Sequence, residues 1–296
     1  MSFIASIQRY LRLVKFSHTI FAMPFALIGF SLGVRYRIDD NGFSSSEWGF
    51  KLLWVILCMV FARSAAMGFN RYLDRNIDAL NPRTATREIP SGVIASSRAL
   101  QFVILNAALF MVSAWMINRL CFYLSPVALT VILGYSYTKR FTALCHLVLG
   151  VGLSLSVIGA YLAVTGSFQL LPLVFSFAVF TWVAGFDILY ALQDESFDRE
   201  NRLHSIPAWL GTRRSMGVSS ALHFLTICAL FFAGIWADFG WLYWSGALVF
   251  FGLLIYQHAL VSPTDLSRID LAFMTANGLA SVAFSVFVIL EIFMNP

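Results

Sequence analysis

The sequence predicts an all-α, polytopic membrane protein with about nine transmembrane helices in one bundle. Composition is the first indication: of 296 residues, 59% are hydrophobic and only 12% are charged, about half the charged share of an ordinary soluble domain. Apolar runs long enough, or nearly so, to cross a bilayer recur along the whole chain. The remaining polar residues gather into short segments between those runs.

Taken in order, the runs fall at about 18–34, 50–70, 99–117, 121–138, 144–165, 168–190, 216–237, 240–261 and 271–293. Arg9, Arg12 and Lys15 precede the first, which continues into Arg35 without a small-residue cleavage site. It therefore reads as a membrane helix rather than a signal peptide. Pro24 inside it predicts a kink. Gly150, Gly152 and Gly159 in the fifth run predict close helix approach. The short connections at Gly166-Ser167 and from Asp238 to Gly240 predict antiparallel neighbours. Cys58, Cys121, Cys145 and Cys228 are scattered without CxxC spacing, and read as buried thiols acting as small hydrophobes.

Charge sets the orientation. With a cytoplasmic N-terminus, only Arg35, Arg37, Lys51 and Arg119 fall on the opposite side, and Arg63 lies within a span; the other 15 of the 20 Lys and Arg are cytoplasmic. Such asymmetry predicts N-in, C-out, in a bacterial inner membrane. The net charge of +5 is then a matter of topology and does not point to nucleic acid.

The acidic residues are more specific. Of 15 Asp and Glu, eight fall in two segments: Asp74, Asp78 and Glu88, then Asp187, Asp194, Glu195, Asp198 and Glu200. Asn70, Asp74 and Asp78 recur every four residues, which at about 100° per residue places them on one stripe where the second run ends. Tyr190, Asp194 and Asp198 repeat the spacing 120 positions later, again at the end of an apolar run. Paired helical carboxylates suit Mg²⁺, which takes oxygen ligands and is completed by water and substrate phosphate. The alternative of a different class is a transporter for a divalent ion or anionic metabolite. Transporters tend to place charge near the bilayer midplane on broken helices; carboxylates at helix ends on one side favour an enzyme.

Asn70-x-x-x-Asp74-x-x-x-Asp78 resembles the first signature of the UbiA-type intramembrane aromatic prenyltransferases. Asp187-x-x-Tyr190-x-x-x-Asp194-x-x-x-Asp198 is similar to their second Asp-rich motif, and Tyr135 to Thr142 resembles the segment after their fourth helix. Many members read Arg-Pro-Leu-Pro-Ser-Gly after the first motif, where this chain has Arg87-Glu88-Ile89-Pro90-Ser91-Gly92. With Phe16-Ser17-His18-Thr19 and Tyr190 to Asp194, this looks like the 4-hydroxybenzoate polyprenyltransferase-like branch associated with the futalosine route to menaquinone.

The resemblance implies one prenyltransferase domain over residues 1–296, with pseudo-repeated motifs at 70–78 and 190–198 and a cytosol-facing active-site cavity. It implies transfer of a polyprenyl group from polyprenyl diphosphate to an aromatic acid such as 4-hydroxybenzoate, or to a hydroxynaphthoate. Asn70, Asp74, Asp78, Asp194 and Asp198 would hold Mg²⁺, the four aspartates being the catalytic set. Arg75, Lys139 and Arg140, then Arg71 and Arg87, would contact the diphosphate.

Arg63 lies two turns below Asn70 on the same face, where a cation is expensive and normally has a cavity or partner. It is expected to receive the acceptor's carboxylate or to support the aspartates. Asp187 is expected to tune the site or hold a basic residue. Tyr135, Tyr137 and Tyr190 are candidates for guiding the allylic cation or bonding phosphate, and Lys15 and His18 for a substrate role at the mouth of the first helix. His146, His204, His223 and His258 share no metal-ligand spacing. The 29 Phe would face lipid or line a prenyl tunnel.

Overall fold

A computed structural model describes residues 9–14, 22–39 and 45–294; Lys15 and His18 lie outside the described residues. Bilayer hydrocarbon cannot solvate backbone N–H and C=O groups, so spanning segments must satisfy them internally. Among the described residues the regular structure is accordingly helical, apart from an isolated bridge between Ser262 and Asp265. The long helices are α1 (Met23–Asp39), α2 (Ser45–Leu80), α3 (Ser96–Ile117), α4 (Arg119–Thr138), α5 (Cys145–Thr165), α6 (Leu170–Ala191), α7 (Thr212–Trp236), α8 (Trp241–Ala259) and α9 (Asn277–Met294). Among the described residues, seven stretches are long and apolar enough to cross a membrane, against the nine expected; α1 and α8 are not among them.

The second run was expected to end near residue 70. Instead α2 continues as one 36-residue helix to Leu80, carrying the first motif with it. It stops where Asn81-Pro82 follows, because a proline disfavours helical backbone in the residue before it. Pro24 sits in the first turn of α1, where its missing N–H would have had no partner in any case, so the expected kink has no cause there. The interior proline is Pro126, within α4.

Two compact units divide the chain. The first comprises 1–19 and 53–137, the second 20–52 and 138–296. In the first, Leu13, Ile89, Ile94 and Ala99 form a small core with Tyr10, Tyr72 and Phe102 against it, so the loop after the first motif is packed rather than loose. Gly68 lets α2 approach α3, where an added Cβ would stand 3.0 Å from Val103.

In the second unit α1 packs on α5, α5 on α6, α6 on α7, α7 on α8, α8 on α9 and α9 back on α1, closing a ring. Phe25, Phe175, Trp182, Tyr243, Phe250 and Phe284 are fully buried within it. The close approach expected at Gly150 is present: a Cβ there would lie 2.5 Å from the Phe180 carbonyl. Gly159 faces open space, while Gly29 of α1, not singled out from the sequence, presses on the Val157 carbonyl of α5. At the C-terminus of α5 the Lys51 Nζ donates to the Val164 carbonyl at 3.2 Å, a cation placed against the negative end of the helix dipole.

Before α9 lies one π-helical turn, Ala272–Ala276. Asn277 bridges it, donating to Phe273 O at 3.1 Å and accepting from Trp182 Nε1 at 3.1 Å. Glu291, 1% exposed, accepts from the backbone N–H of Gly240 at 2.6 Å and of Tyr243 at 3.3 Å. It caps the N-terminus of α8 from the neighbouring helix. All four cysteines are free; Cys145 is buried as expected, but Cys228 is exposed, on the apolar outside of α7.

Candidate active site

In the first unit the continuous helix keeps Asn70, Asp74 and Asp78 on one face. Asp74 is 1% exposed and Asp78 5%, which is deep burial for carboxylates. Asn70 Nδ2 donates to Asp74 Oδ2 at 3.3 Å. Arg87 donates to Asp78 Oδ1 at 2.6 Å, while Asp78 Oδ2 is buried without a hydrogen-bond partner. A buried carboxylate oxygen left unsatisfied is costly, so this atom is suited to a cation ligand.

Basic groups crowd the same place. Arg71 is buried, its Nε unpartnered, within electrostatic reach of Arg87, Asp78, Glu88 and Arg83. Arg75 donates to the Tyr72 carbonyl at 2.7 Å and lies 4.7 Å over the Tyr72 ring, so its cation is held by its own helix. Arg63 Nε is also buried and without a hydrogen bond. The following loop is built by backbone bonds from Thr84 N to Asn81 O, Arg87 N to Thr84 O and Ile94 N to Glu88 O. Gly92 in the left-handed region (φ +74) turns the chain, and the loop carries Arg87 back to Asp78. Tyr135 is half-buried; Tyr137 is exposed, 5.7 Å from the Phe69 ring.

In the second unit the acidic motif departs from the expected continuous stripe. Asp187 and Tyr190 are on α6, but the helix ends at Ala191. Leu192–Asp194 forms a 3₁₀ turn, and Asp198 follows on the short helix Glu195–Glu200. The break has a local cause: Gln193 Nε2 donates to the Tyr190 carbonyl at 3.0 Å, and a tighter turn forms after it. Asp198 is within electrostatic reach of Asp194, Lys139 and His146. The Lys139 carbonyl accepts from His204 N at 2.7 Å; Lys139 and Arg140 are half-buried. Tyr190 packs on Phe273 of the π turn, ring centroids 4.2 Å apart.

Asp187 does hold a basic residue. His146 Nδ1 lies 2.7 Å from Asp187 Oδ2, a pairing between α5 and α6 that no local spacing announces. His223 and His258 are also paired, Nδ1 to Nε2 at 2.8 Å, with His223 Nε2 facing the Trp182 carbonyl.

The structure thus gathers Asn70, Asp74, Asp78, Arg71 and Arg87 in one unit, and Asp187, Asp194, Asp198 and Lys139 in the other. Among the described residues no three His, Cys, Asp or Glu side chains alone make a metal site. Two carboxylates in each motif fit a cation that keeps much of its coordination for water and phosphate oxygens.

The sequence profile of the UbiA prenyltransferase family matches residues 22–279. The chain belongs to this family. A 4-hydroxybenzoate octaprenyltransferase of Tolumonas auensis is 30% identical over 244 residues, 80% of this chain and 82% of the relative. That of Shewanella baltica is 32% identical over 235 residues, covering 77% and 80%. The apo structure of a UbiA homologue from Aeropyrum pernix K1 superposes with a TM-score of 0.77 at 30% identity, over 94% of this chain and 98% of that one. A homologue from Archaeoglobus fulgidus bound to DMAPP and Mg²⁺ gives 0.73 at 21% identity over 96% and 99%, a likeness of fold. This UbiA-family chain is an integral membrane prenyltransferase.

Proposed function

We propose that this UbiA-family enzyme transfers a polyprenyl group from polyprenyl diphosphate to the ring of a 4-hydroxybenzoate-like aromatic acid, with Mg²⁺ as cofactor. The relatives named as 4-hydroxybenzoate octaprenyltransferases support the acceptor class. The carrying observation is the Asn70-Asp74-Asp78 face, where Asp74 and Asp78 are buried and Asp78 keeps one oxygen without a partner beside Arg71 and Arg87.

In this reading the whole chain works as one domain, and Asn70, Asp74, Asp78, Asp194 and Asp198 serve one site on the cytosolic side of a bacterial inner membrane. These residues would hold Mg²⁺, which would supply positive charge against the charge developing on the departing diphosphate. Arg71, Arg75, Lys139 and Arg140 hold the diphosphate oxygens. Arg87 holds Asp78 in place. The allylic C–O bond breaks with its electron pair going to diphosphate, and the ring carbon ortho to the hydroxyl bonds to the prenyl carbon. The ring proton then leaves to water or diphosphate. Tyr190 and Tyr135 offer aromatic faces to the cation, and Arg63 receives the acceptor's carboxylate. The donor's chain and the exposed apolar sides of α3 and α4, with Ile104, Leu105, Tyr123 and Val127, meet membrane lipid. A hydroxynaphthoate offers the same activated ring and carboxylate, and the menaquinone-branch sequence after the first motif supports it as the second acceptor.

Membranes containing the protein, a labelled polyprenyl diphosphate and a panel of aromatic acids should give a prenylated product only with Mg²⁺. Asp74→Ala and Asp194→Ala should each abolish it in folded protein. Near-normal turnover in either variant would refute the two-motif site.

A further inference from the structure

His146 and the segment 203–206, outside the acidic motifs, hold the second motif from behind. His146 is 3% exposed, and its two ring nitrogens face different partners. Nε2 accepts from the Ile206 backbone N–H at 3.4 Å, so in the neutral ring Nδ1 carries the hydrogen and donates to Asp187 Oδ2 at 2.7 Å. One residue earlier in the same segment, Ser205 Oγ accepts from Ala208 N at 3.2 Å. Leu203 N donates to the Asp198 carbonyl at 2.8 Å and His204 N to the Lys139 carbonyl at 2.7 Å. The segment 203–206 therefore touches the first and last acids of the motif, the former through His146, together with the backbone of Lys139.

This matters because the motif is not one rigid helix. Its 3₁₀ turn at Leu192–Asp194 changes the helical repeat inside the motif, so the periodicity of α6 alone does not set where Asp194 and Asp198 stand. We propose that His146 is a positioning residue: by joining Asp187 to the 203–206 segment, it sets where Asp194 and Asp198 stand relative to Lys139. The inference rests on the proposed function. Partners of this kind behind metal-binding carboxylates are worth about 10–100-fold in metal affinity or activity when removed.

The two arms can be cut separately. Asn at 146 presents its amide N–H₂ where Nδ1 stood and keeps the Asp187 arm; Gln reaches where Nε2 stood and loses it. The full-length protein in detergent is titrated with inorganic diphosphate in MgCl₂ by calorimetry. Turnover then gives the Mg²⁺ concentration for half-activation and both substrate KM values. His146→Gln should weaken Mg²⁺-dependent diphosphate binding and raise half-activating Mg²⁺ by about tenfold or more, with the acceptor KM unmoved. His146→Asn, which keeps Asp187 but loses the Ile206 arm, breaks the same joint and should show a similar loss, with Tm near wild type in both variants. Wild-type behaviour of His146→Gln would overturn the proposal, as would equal loss in both variants accompanied by a fall in Tm. If His146→Gln does not fold, His146→Asn carries the test alone, and a wild-type Mg²⁺ response there overturns it. A wild-type protein with neither diphosphate binding nor turnover would instead overturn the functional reading, and the positioning role with it.

Discussion

Asp78 has one oxygen bound to Arg87 and one with no hydrogen bond, and Arg63 and Arg71 each keep a buried nitrogen without one. Unsatisfied charge on both sides of one helix face is expensive where water is scarce, and it is tolerated where ligands complete it. Arg63→Ala tests which ligand. The acceptor KM should rise by an order of magnitude or so, as for loss of a charged hydrogen bond of about 1.5–3 kcal/mol, while the donor KM stays in place. Equal rises in both would assign Arg63 to the diphosphate or to the aspartates instead. At this scale the first motif was legible because its logic is local: four-residue spacing on a helix becomes a shared face. His146 and Glu291 were not legible. Their partners lie 41 and 51 residues away, and no periodicity within a helix encodes a contact made by another helix. The only trace was a histidine and a glutamate inside apolar runs, where charge is rarely without a role.

At the scale of elements, helix contacts depend on glycines that the sequence indicates only in part. Gly29 meets the Val157 carbonyl and Gly150 the Phe180 carbonyl at the distance of an added Cβ. Backbone cannot yield as a flexible side chain does, so Gly29→Leu should destabilise the second unit by about 1–3 kcal/mol, read as a lowered Tm in detergent. Gly159→Leu, facing open space, should leave Tm nearly unchanged; a matching loss there would sink the packing argument. Hydropathy marked most of the long helices to within a few residues, since apolar length is what a bilayer demands, but α1 and α8 fall short of the length and hydropathy that a span needs. It could not mark where α2 ends, because a helix leaving the bilayer continues until the backbone stops it, here at Asn81-Pro82. The 3₁₀ break in the second motif was equally hidden, as it turns on one Gln193 side chain bonding a carbonyl.

For the whole molecule the open question is sidedness. The loop after the first motif and the turn at Asp238 are separated in sequence by α3 to α7, and the proposed N-in, C-out arrangement would put them on opposite faces. In a cysteine-free background, Ser91→Cys should react with an impermeant maleimide only in inside-out vesicles, and Asp238→Cys only in right-side-out ones. Both sites reacting from one side would reject the N-in, C-out arrangement. The family and the all-helical architecture were legible at this scale because two motifs, their order and the recurrent spans all agree. The division into interleaved units, with boundaries inside α2 and at the end of α4, was not. It depends on which helices pack together, and their apolar faces look alike in sequence.

The π turn at Ala272–Ala276 has a consequence for how the last helix keeps its phase. Such a turn holds one residue more than an α-helical turn would, and Asn277 fixes it by bonding both Phe273 O and Trp182. Relaxing it to ordinary helix with no residue removed would rotate everything downstream by about 100°. Asn277 would swing away from Trp182, and Glu291 would turn away from the start of α8, leaving the Gly240 N–H uncapped. One residue is thus a reading-frame setting for the closing strut of the ring. Deleting Met274 removes the residue the turn absorbs and keeps the phase, so it should lower Tm less than deleting Val282 within α9, which rotates Glu291 by about 100°; equal losses would show the frame is not set there.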